Sequence, residues 1–160
     1  MSSWNVIFLI DQHPATKIVL LKRAFTKKFA PGMYTGIGGK VEEGETLLDS
    51  AYRELKEETG IENVRLNEFA KVIIDEKEAL IYFWGKYQED LPTSDDGTLE
   101  WISTNKVLSK NIIPTTLEML KHWNSQNFSI TPFEMHVKTI KEENGIKQVE
   151  VVNNLTIQQS

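Results

Sequence analysis

Three glutamates in the middle of the chain have the spacing of a stripe along one helix. Glu54 and Glu57 are three residues apart, and Glu54 and Glu58 are four apart. At 3.6 residues per turn, these spacings place the three carboxylates within an arc of about 100°. Like charges so arranged destabilise an isolated helix by about 0.2–0.5 kcal/mol per pair. The stripe is typical of a solvated acidic face or of a site for a hard divalent cation such as Mg²⁺, which prefers oxygen ligands and is often shared with phosphates.

The negative charge of the chain is concentrated around this stripe. The net charge is −5, and residues 42–58 contain seven acids and two bases, while the rest of the chain is balanced. We expect the two bases, Arg53 and Lys56, to point to other parts of the helix surface and to leave the stripe unneutralised. A local acidic patch on a neutral body argues against a nucleic acid polymer as partner, because its backbone requires a basic footprint.

The element that must position the stripe is a predicted helix over residues 46–59. Thr46 and Asp49 fit a capping box that begins it, and Gly60 stands where a helix end favours a left-handed residue. Apolar residues recur at helical spacing within it and predict the face turned to the core. These residues are Leu48, Ala51, Tyr52 and Leu55.

The remaining elements predict an α+β fold. A hairpin is expected from the first two strands, and a second hairpin from the Asn144-Gly145 dipeptide, which favours a tight turn. Helical spacing over residues 114–123 predicts the second helix, with Leu117, Leu120 and Met119 facing inward. The predicted strands cover residues 4–10, 17–23, 64–75, 79–87, 99–103, 133–141 and 146–152. This order is typical of an α+β or mixed-sheet sandwich.

Length and composition indicate one domain over residues 1–160. The chain has 160 residues and no Cys, which excludes disulfide scaffolds, thiolate metal sites and cysteine nucleophiles. No apolar run approaches the roughly 18 residues that span a membrane. The first residues have neither a basic region nor a small-residue cleavage site, so we expect a cytoplasmic protein without a membrane partner.

The spacing around the stripe resembles the Nudix box. Counting from Gly39, the chain matches the box at all nine fixed positions across 23 residues, ending at Ile61. The resemblance to the Nudix hydrolases implies an α/β/α sandwich, with a mixed β-sheet between helices and here a C-terminal β-hairpin. It also implies hydrolysis of a nucleoside diphosphate linked to another group, with Mg²⁺ or Mn²⁺ as cofactor.

The same resemblance implies roles for individual residues of the box. Glu54, Glu57 and Glu58 correspond to the metal-binding carboxylates, and the carbonyl of Gly38 resembles the family's backbone ligand. Arg53 and Glu45 resemble the pair that braces the loop against the helix and supports catalysis.

A further carboxylate stands outside the box. Asp96 lies five residues before Trp101, a position that resembles the one used for metal binding or water activation in the branch of the family that sanitises nucleotide pools. Asp is also favoured in a Ser-Asp-Asp-Gly turn for its local hydrogen bonding alone. Both interpretations stay open from the sequence.

Within the family, the segment around the box resembles the MutT-type branch, which acts on 8-oxo-purine triphosphates. Tyr34 stands where that branch has Trp, and Thr35 where the human-type enzyme has a base-contacting Asn. Thr115 and Thr116 stand where that enzyme has the paired Asp that read the purine. The likeness implies a substrate-binding set of Tyr34, Thr35, Gly39 and Lys40. Arg23, a base at the end of a predicted strand before the box, is a further candidate, for the phosphate tail.

The favoured hypothesis is metal-dependent hydrolysis of a nucleoside triphosphate to monophosphate and pyrophosphate, with oxidised purine nucleotides among the candidate substrates. One alternative is hydrolysis of another nucleoside diphosphate derivative, such as ADP-ribose or a nucleotide sugar. A second is a nucleotide-binding Nudix module without catalysis, against which the three intact glutamates argue. The expected partner is the nucleotide substrate, and the expected state is a monomer or a homodimer.

Overall fold

Nine strands and two α-helices alternate along the residues that the computed structural model describes, 1–157. Within this range neither helix is long and apolar enough to cross a membrane. The elements are β1 (Ser2–Ile10), β2 (Lys17–Arg23), β3 (Tyr34–Thr35), β4 (Ile37–Lys40), α1 (Leu47–Thr59), β5 (Leu66–Ile74), β6 (Glu78–Lys86), β7 (Gly97–Ser103), α2 (Pro114–Ser125), β8 (Phe133–Glu143) and β9 (Ile146–Thr156).

Strand β1 is the centre of a mixed sheet with the order β3-β2-β1-β6-β5-β8-β9. It pairs with β6 in parallel along its whole length and with β4 antiparallel at its beginning. The predicted hairpin of β1 and β2 is therefore confirmed only at its turn, where Ile10 lies opposite Ile18. Beyond that point the strands diverge, because β2 pairs with β7 over seven residues.

The two faces of β1 face two separate hydrophobic cores. Val6, Phe8 and Ile10 belong to the core that contains α2, while Ile7 and Leu9 belong to the core that contains α1. Since side chains alternate across a strand, the helices lie on opposite faces of the sheet. The predicted α/β/α arrangement is confirmed.

Helix α1 begins and ends as the sequence predicts. The Thr46 hydroxyl accepts from the Asp49 amide at 3.0 Å, and Gly60, with φ 78°, donates its amide to the Lys56 carbonyl at 2.8 Å. The predicted inward position of Leu48 is wrong, since 42% of it is exposed. Buried Ser50, Ala51, Leu55 and Thr59 form the inward face instead.

The C-terminal hairpin turns at Asn144 and Gly145, whose φ values of 53° and 79° fit the tight turn that this dipeptide favours. Its second strand runs four residues farther than predicted, to Thr156. Strand β8 lies parallel to β5, and the Lys147 ammonium pairs with Glu78 at 2.9 Å. These contacts tie the hairpin to the edge of the sheet.

We predict that His136 makes the stability of this edge depend on pH. Its ring nitrogens contact Glu76 at 2.6 Å and Glu134 at 2.9 Å, and these carboxylates raise the pKa of His136. The two ion pairs of His136 contribute fully to the free energy of unfolding below the unfolded-state pKa of about 6.5. This contribution is lost as the pH rises through the folded-state pKa of His136. Because the pairs are partly exposed, it is worth less than about 1 kcal/mol.

Urea denaturation of the wild type and of His136→Asn measures this contribution. We expect the wild type to be more stable by a few tenths of a kcal/mol at pH 5.5, and the difference to shrink by pH 8.5. A difference that grows with pH would contradict the role of the two carboxylates.

Candidate active site

Arg53 connects the loop before α1 to the helix. Its guanidinium forms two bonds to the Glu45 carboxylate, at 2.7 and 2.9 Å, and donates to the Lys40 carbonyl at 3.3 Å. A planar guanidinium held by a carboxylate in this two-point geometry is strongly oriented. Hydrogen bonding from Arg53 lowers the pKa of Glu45, and Glu45 in turn raises the pKa of Arg53. The structure thus brings together two residues that the sequence assigns to one bracing pair.

The expectation that Arg53 points away from the acidic stripe is wrong. Its Nη1 donates to Glu54 at 3.0 Å and to Glu57 at 3.1 Å. Arg53 therefore offsets part of the repulsion between the stripe carboxylates. Lys56 does turn away from the stripe and pairs with Glu62 at 2.8 Å.

The three stripe carboxylates lie in different environments. Only 14% of the Glu54 side chain is exposed, Glu58 is half-buried, and 60% of Glu57 is exposed beside Arg53. Burial, together with repulsion from the nearby carboxylates of Asp96 and Glu54, raises the pKa of Glu58 to about 9. Within the described chain, Glu58 Oε2 is buried and has no hydrogen-bond partner. A proton or a cation is needed to neutralise this cluster.

Asp96 completes the cluster from the other side of the cleft. The Lys27 ammonium pairs with its carboxylate and lowers the pKa of Asp96, against the opposing effect of burial. The backbone of Asp96 also lies in a turn, where its amide donates to the Ser94 hydroxyl at 3.2 Å and its carbonyl accepts from Ala24 at 2.9 Å. The turn and the approach to Glu58 occur together, so neither interpretation of Asp96 excludes the other.

Gly39 allows the backbone of β4 to approach Glu54 closely, and Gly38 allows it to approach β1. A Cβ atom on Gly39 would lie 2.6 Å from Glu54 Oε1, and one on Gly38 would lie 2.0 Å from the Asn5 carbonyl. Asn5 fastens this strand to the helix, because its amide nitrogen donates to Ser50 at 2.5 Å and its oxygen accepts from Gly39 at 3.3 Å. The sequence analysis did not identify Asn5 and Ser50, although an Asn inside an apolar strand was a usable signal.

The donor set of this cluster fits a hard divalent cation. Carboxylate oxygens of Glu54, Glu58 and Asp96 lie close together, one of them lacks a partner, and Gly39 leaves space beside Glu54. Such all-oxygen surroundings suit Mg²⁺ or Mn²⁺. Across residues 1–157, however, no three His, Asp or Glu side chains are arranged as a finished coordination group. Side-chain rotation would therefore accompany cation binding.

The other residues of the predicted substrate-binding set differ in their burial and in their contacts. Arg23 is close enough to Asp96 to lower its pKa, and its Nε donates to the Phe29 carbonyl at 2.8 Å. Tyr34 is buried, and burial together with Glu100 raises the pKa of its hydroxyl. Thr35, on β3, is half-buried.

Lys40 is exposed at the end of β4, and its ammonium lies 6.0 Å from the ring centroid of Trp4. Trp4 is 37% exposed, so its ring is accessible at this end of the sheet.

Thr115 and Thr116 lie at the first turn of α2 and are both buried. The Thr116 hydroxyl is 3.0 Å from the buried Tyr82 hydroxyl, which engages it inside the core. Phe83 and Trp123 are core residues, as expected of most of the aromatics. The arrangement gives Thr116 a structural partner in place of a free hydroxyl.

A cleft of about 320 Å³ lies between the end of β2 and the segment around the start of β7, and its mixed lining includes two bases. Its walls include Lys22, Arg23, Phe25, Ser94, Asp95 and Thr98. A larger cleft of about 570 Å³ lies beyond the end of α1 and contains none of the predicted site residues. The smaller cleft is the better candidate for substrate because it shares Arg23 with the carboxylate cluster.

Comparison with known proteins identifies the family. The NUDIX domain matches residues 2–123, which include the whole carboxylate cluster. The chain belongs to the Nudix family. Its sequence is 30% identical over 121 residues to YfcD of Escherichia coli (strain K12), an uncharacterised Nudix hydrolase, and the match covers 69% of this chain and 66% of YfcD. This Nudix chain thus spans slightly less than two thirds of that relative.

Solved structures share the same Nudix fold. The MutT protein from Bacillus halodurans has a TM-score of 0.67 and 21% identity, with 97% of each chain covered. The NUDIX domain of Shewanella oneidensis NrtR, solved with ADP ribose, has a TM-score of 0.62 and 16% identity, covering 78% of this chain and 87% of that one. At these identities the likeness establishes the fold alone.

Proposed function

We propose that this Nudix protein is a pyrophosphohydrolase that cleaves nucleoside triphosphates to monophosphate and pyrophosphate with the help of Mg²⁺ or Mn²⁺. The observation that carries the proposal is the convergence of Glu54, Glu58 and Asp96 beside Arg23, at the end of β2, and Lys27, in the loop that follows. Carboxylates alone suit a cation, and cationic side chains alone suit an anion. Their juxtaposition suits a polyphosphate that carries its own divalent ion.

Each group has a separate task in this proposal. Glu54, Glu58 and Asp96 hold the cation, with Glu57 and the Gly38 carbonyl as further ligands carried over from the box. The cation, when bound, neutralises phosphate charge and polarises the phosphoryl oxygens. Arg23, together with Gly39 and Lys40 of the box and with Tyr34 and Thr35, binds the nucleotide. Arg53 and Glu45 hold the loop and helix in register, as their two-point contact supports.

The identity of the group that takes a proton from water follows from the same cluster. Glu58 has the most perturbed surroundings of its carboxylates, because burial and two neighbouring carboxylates favour its protonated form. A carboxylate whose pKa is raised binds a proton more tightly than an exposed carboxylate does. We assign Glu58 this role in addition to cation binding.

Hydrolysis of a nucleoside diphosphate derivative such as ADP-ribose is the second candidate. The fold likeness to the NrtR domain solved with ADP ribose favours it. The engagement of Thr116 with Tyr82 also favours it, since this contact weakens the case for a purine-reading pair at the start of α2. A cytoplasmic location and a monomeric or homodimeric state stay predictions.

Parallel assays of dGTP, ATP and ADP-ribose with Mg²⁺ distinguish the two candidates. We expect the triphosphates to be converted with the higher kcat/KM, and chromatography to show the monophosphate as product. Turnover of ADP-ribose without turnover of any triphosphate would favour the second candidate and leave the family assignment intact.

We also predict a broad or altered base preference. Threonine hydroxyls both donate and accept, so they discriminate less than a carboxylate pair. The ratio of kcat/KM for 8-oxo-dGTP over dGTP should therefore fall below the roughly 10⁴–10⁵ reached by sites that reject an analogue lacking a hydrogen-bonding group. Steady-state kinetics on the two matched nucleotides measures it. A larger ratio would show that residues other than Thr35, Thr115 and Thr116 read the base.

A further inference from the structure

Two basic residues contact the carboxylate cluster, and their side chains are held very differently. Arg53 donates to Glu45, Glu54 and Glu57 and to the Lys40 carbonyl, so its guanidinium has several anchors. In the part of the chain that the structure describes, the Lys27 ammonium has one side-chain acceptor, the Asp96 carboxylate. An ammonium on a flexible four-carbon chain changes partner far more easily than a guanidinium locked at two points.

The contact of Lys27 lies at the place where a divalent cation would bind. Asp96 adjoins Glu58, whose Oε2 is buried without a hydrogen-bond partner across residues 1–157. Arg23 also lies close enough to act on Asp96, so this side of the cluster already faces two positive charges. A doubly charged ion on the Asp96 and Glu58 carboxylates would repel the ammonium at short range, where charges are only partly screened.

The backbone around Lys27 allows its side chain to move alone. Its amide donates to the Ala24 carbonyl at 3.1 Å, and the Ala24 amide donates to the Asp96 carbonyl at 2.9 Å. The loop thus stays attached to the Asp96 turn through main-chain bonds. Release of the carboxylate requires rotation of the lysine side chain and no displacement of the loop.

From these contacts we infer that Lys27 competes with the catalytic cation for the Asp96 carboxylate, so that cation binding releases the Lys27 ammonium. The inference rests on the proposed function, because it concerns the same cation site. It adds a coupling that the Nudix box does not contain, since Lys27 lies twelve residues before Gly39. Lys27 and Arg23 both act on Asp96, so release of the Lys27 ammonium would leave two cationic side chains near the cation site for a phosphate group.

Calorimetric titration of Mn²⁺ into the chelator-treated full chain tests the inference without any substrate. Lys27→Met should lower the Kd for Mn²⁺ at least about fivefold, the lower end of typical coupling between sites. Lys28→Met is the matched control, because it removes the same charge from the next, exposed residue of the same loop. Lys27→Gln, which keeps a polar side chain, should behave like Lys27→Met.

An Asp96→Asn background separates competition from a general field effect. In the Asp96→Asn background, Lys27→Met should change the Kd for Mn²⁺ by less than about twofold relative to Asp96→Asn alone. The effects of the two substitutions are coupled if Lys27 acts through Asp96, and coupled effects do not add. Equal Kd values for Lys27→Met, Lys28→Met and wild type, or weaker binding by Lys27→Met, would overturn the inference. Absence of Mn²⁺ binding in every variant would overturn the proposed cation site itself, and the inference with it.

Discussion

Replacement of Glu58 by Gln is expected to lower kcat/KM at least about a hundredfold while leaving the protein folded. A loss of this order follows when stabilisation of transition-state charge is removed. The fold should tolerate the change, because burial and the neighbouring Asp96 and Glu54 already favour the uncharged form of Glu58. Glutamine has the shape of that uncharged form, so it fits the same surroundings. Steady-state kinetics at saturating Mg²⁺, with a thermal midpoint for each variant, measures both effects.

Glu43→Gln is the matched control for this change. Glu43 belongs to the same acidic segment but is exposed, so its replacement removes one charge from the segment and leaves the cluster intact. Its kcat/KM should stay within about threefold of the wild type, since surface charge changes away from a site have small effects. A Glu58→Gln enzyme with turnover close to that of Glu43→Gln would contradict the assigned role.

Removal of divalent cations is expected to abolish turnover. With chelator in excess, Glu54, Glu58 and Asp96 lose the charge that balances them, and the phosphates lose theirs. Addition of Mg²⁺ or Mn²⁺ above the chelator should restore the full rate. Zn²⁺ should restore little, because the cluster offers oxygen ligands, the chain has no Cys, and neither His nor Cys belongs to the cluster. Full activity in excess chelator would show that the carboxylates serve another purpose.

The sequence predicts where helices and turns begin and end better than it predicts which strands pair in the sheet. The ends of α1 follow from Thr46 and Gly60, and the tip of the last hairpin follows from Asn144 and Gly145, because each depends on a short-range backbone preference. The pairing of β1 with β6 does not follow, because a parallel pair joins segments about seventy residues apart and leaves no turn signal between them. The limited contact of β1 with β2 has the same origin.

In the candidate site too, features that depend on local sequence are predicted and contacts made only in the folded protein are not. Residue spacing identifies Glu45, Arg53, Glu54, Glu57 and Glu58 as a set, since all of them lie on or beside one helix. It does not reveal that Arg53 contacts Glu54 and Glu57, because a flexible side chain chooses among several acceptors only in the folded protein. The inward face of α1 is also misjudged by one residue, because Asn5 draws Ser50 toward the sheet and leaves Leu48 outside.

The pairing of Lys27 with Asp96 lies beyond sequence reasoning for a related reason. The two residues are 69 positions apart and belong to loops with no shared pattern. Only the pairing of β2 with β7, which sets Arg23 opposite Gly97, brings these loops together. The loop after β2, which contains Lys27, thus lies against the carboxylate cluster.

The central claim is cleavage of a nucleoside triphosphate to monophosphate and pyrophosphate at this carboxylate cluster. Its most direct measurement is the yield of pyrophosphate and of orthophosphate per dGTP consumed, with Mg²⁺, by the wild type and by a Glu54→Gln, Glu58→Gln double variant. We predict one pyrophosphate and one dGMP for each dGTP consumed by the wild type, and no product above background from the folded double variant. Release of orthophosphate, or equal yields from both proteins, would contradict the account.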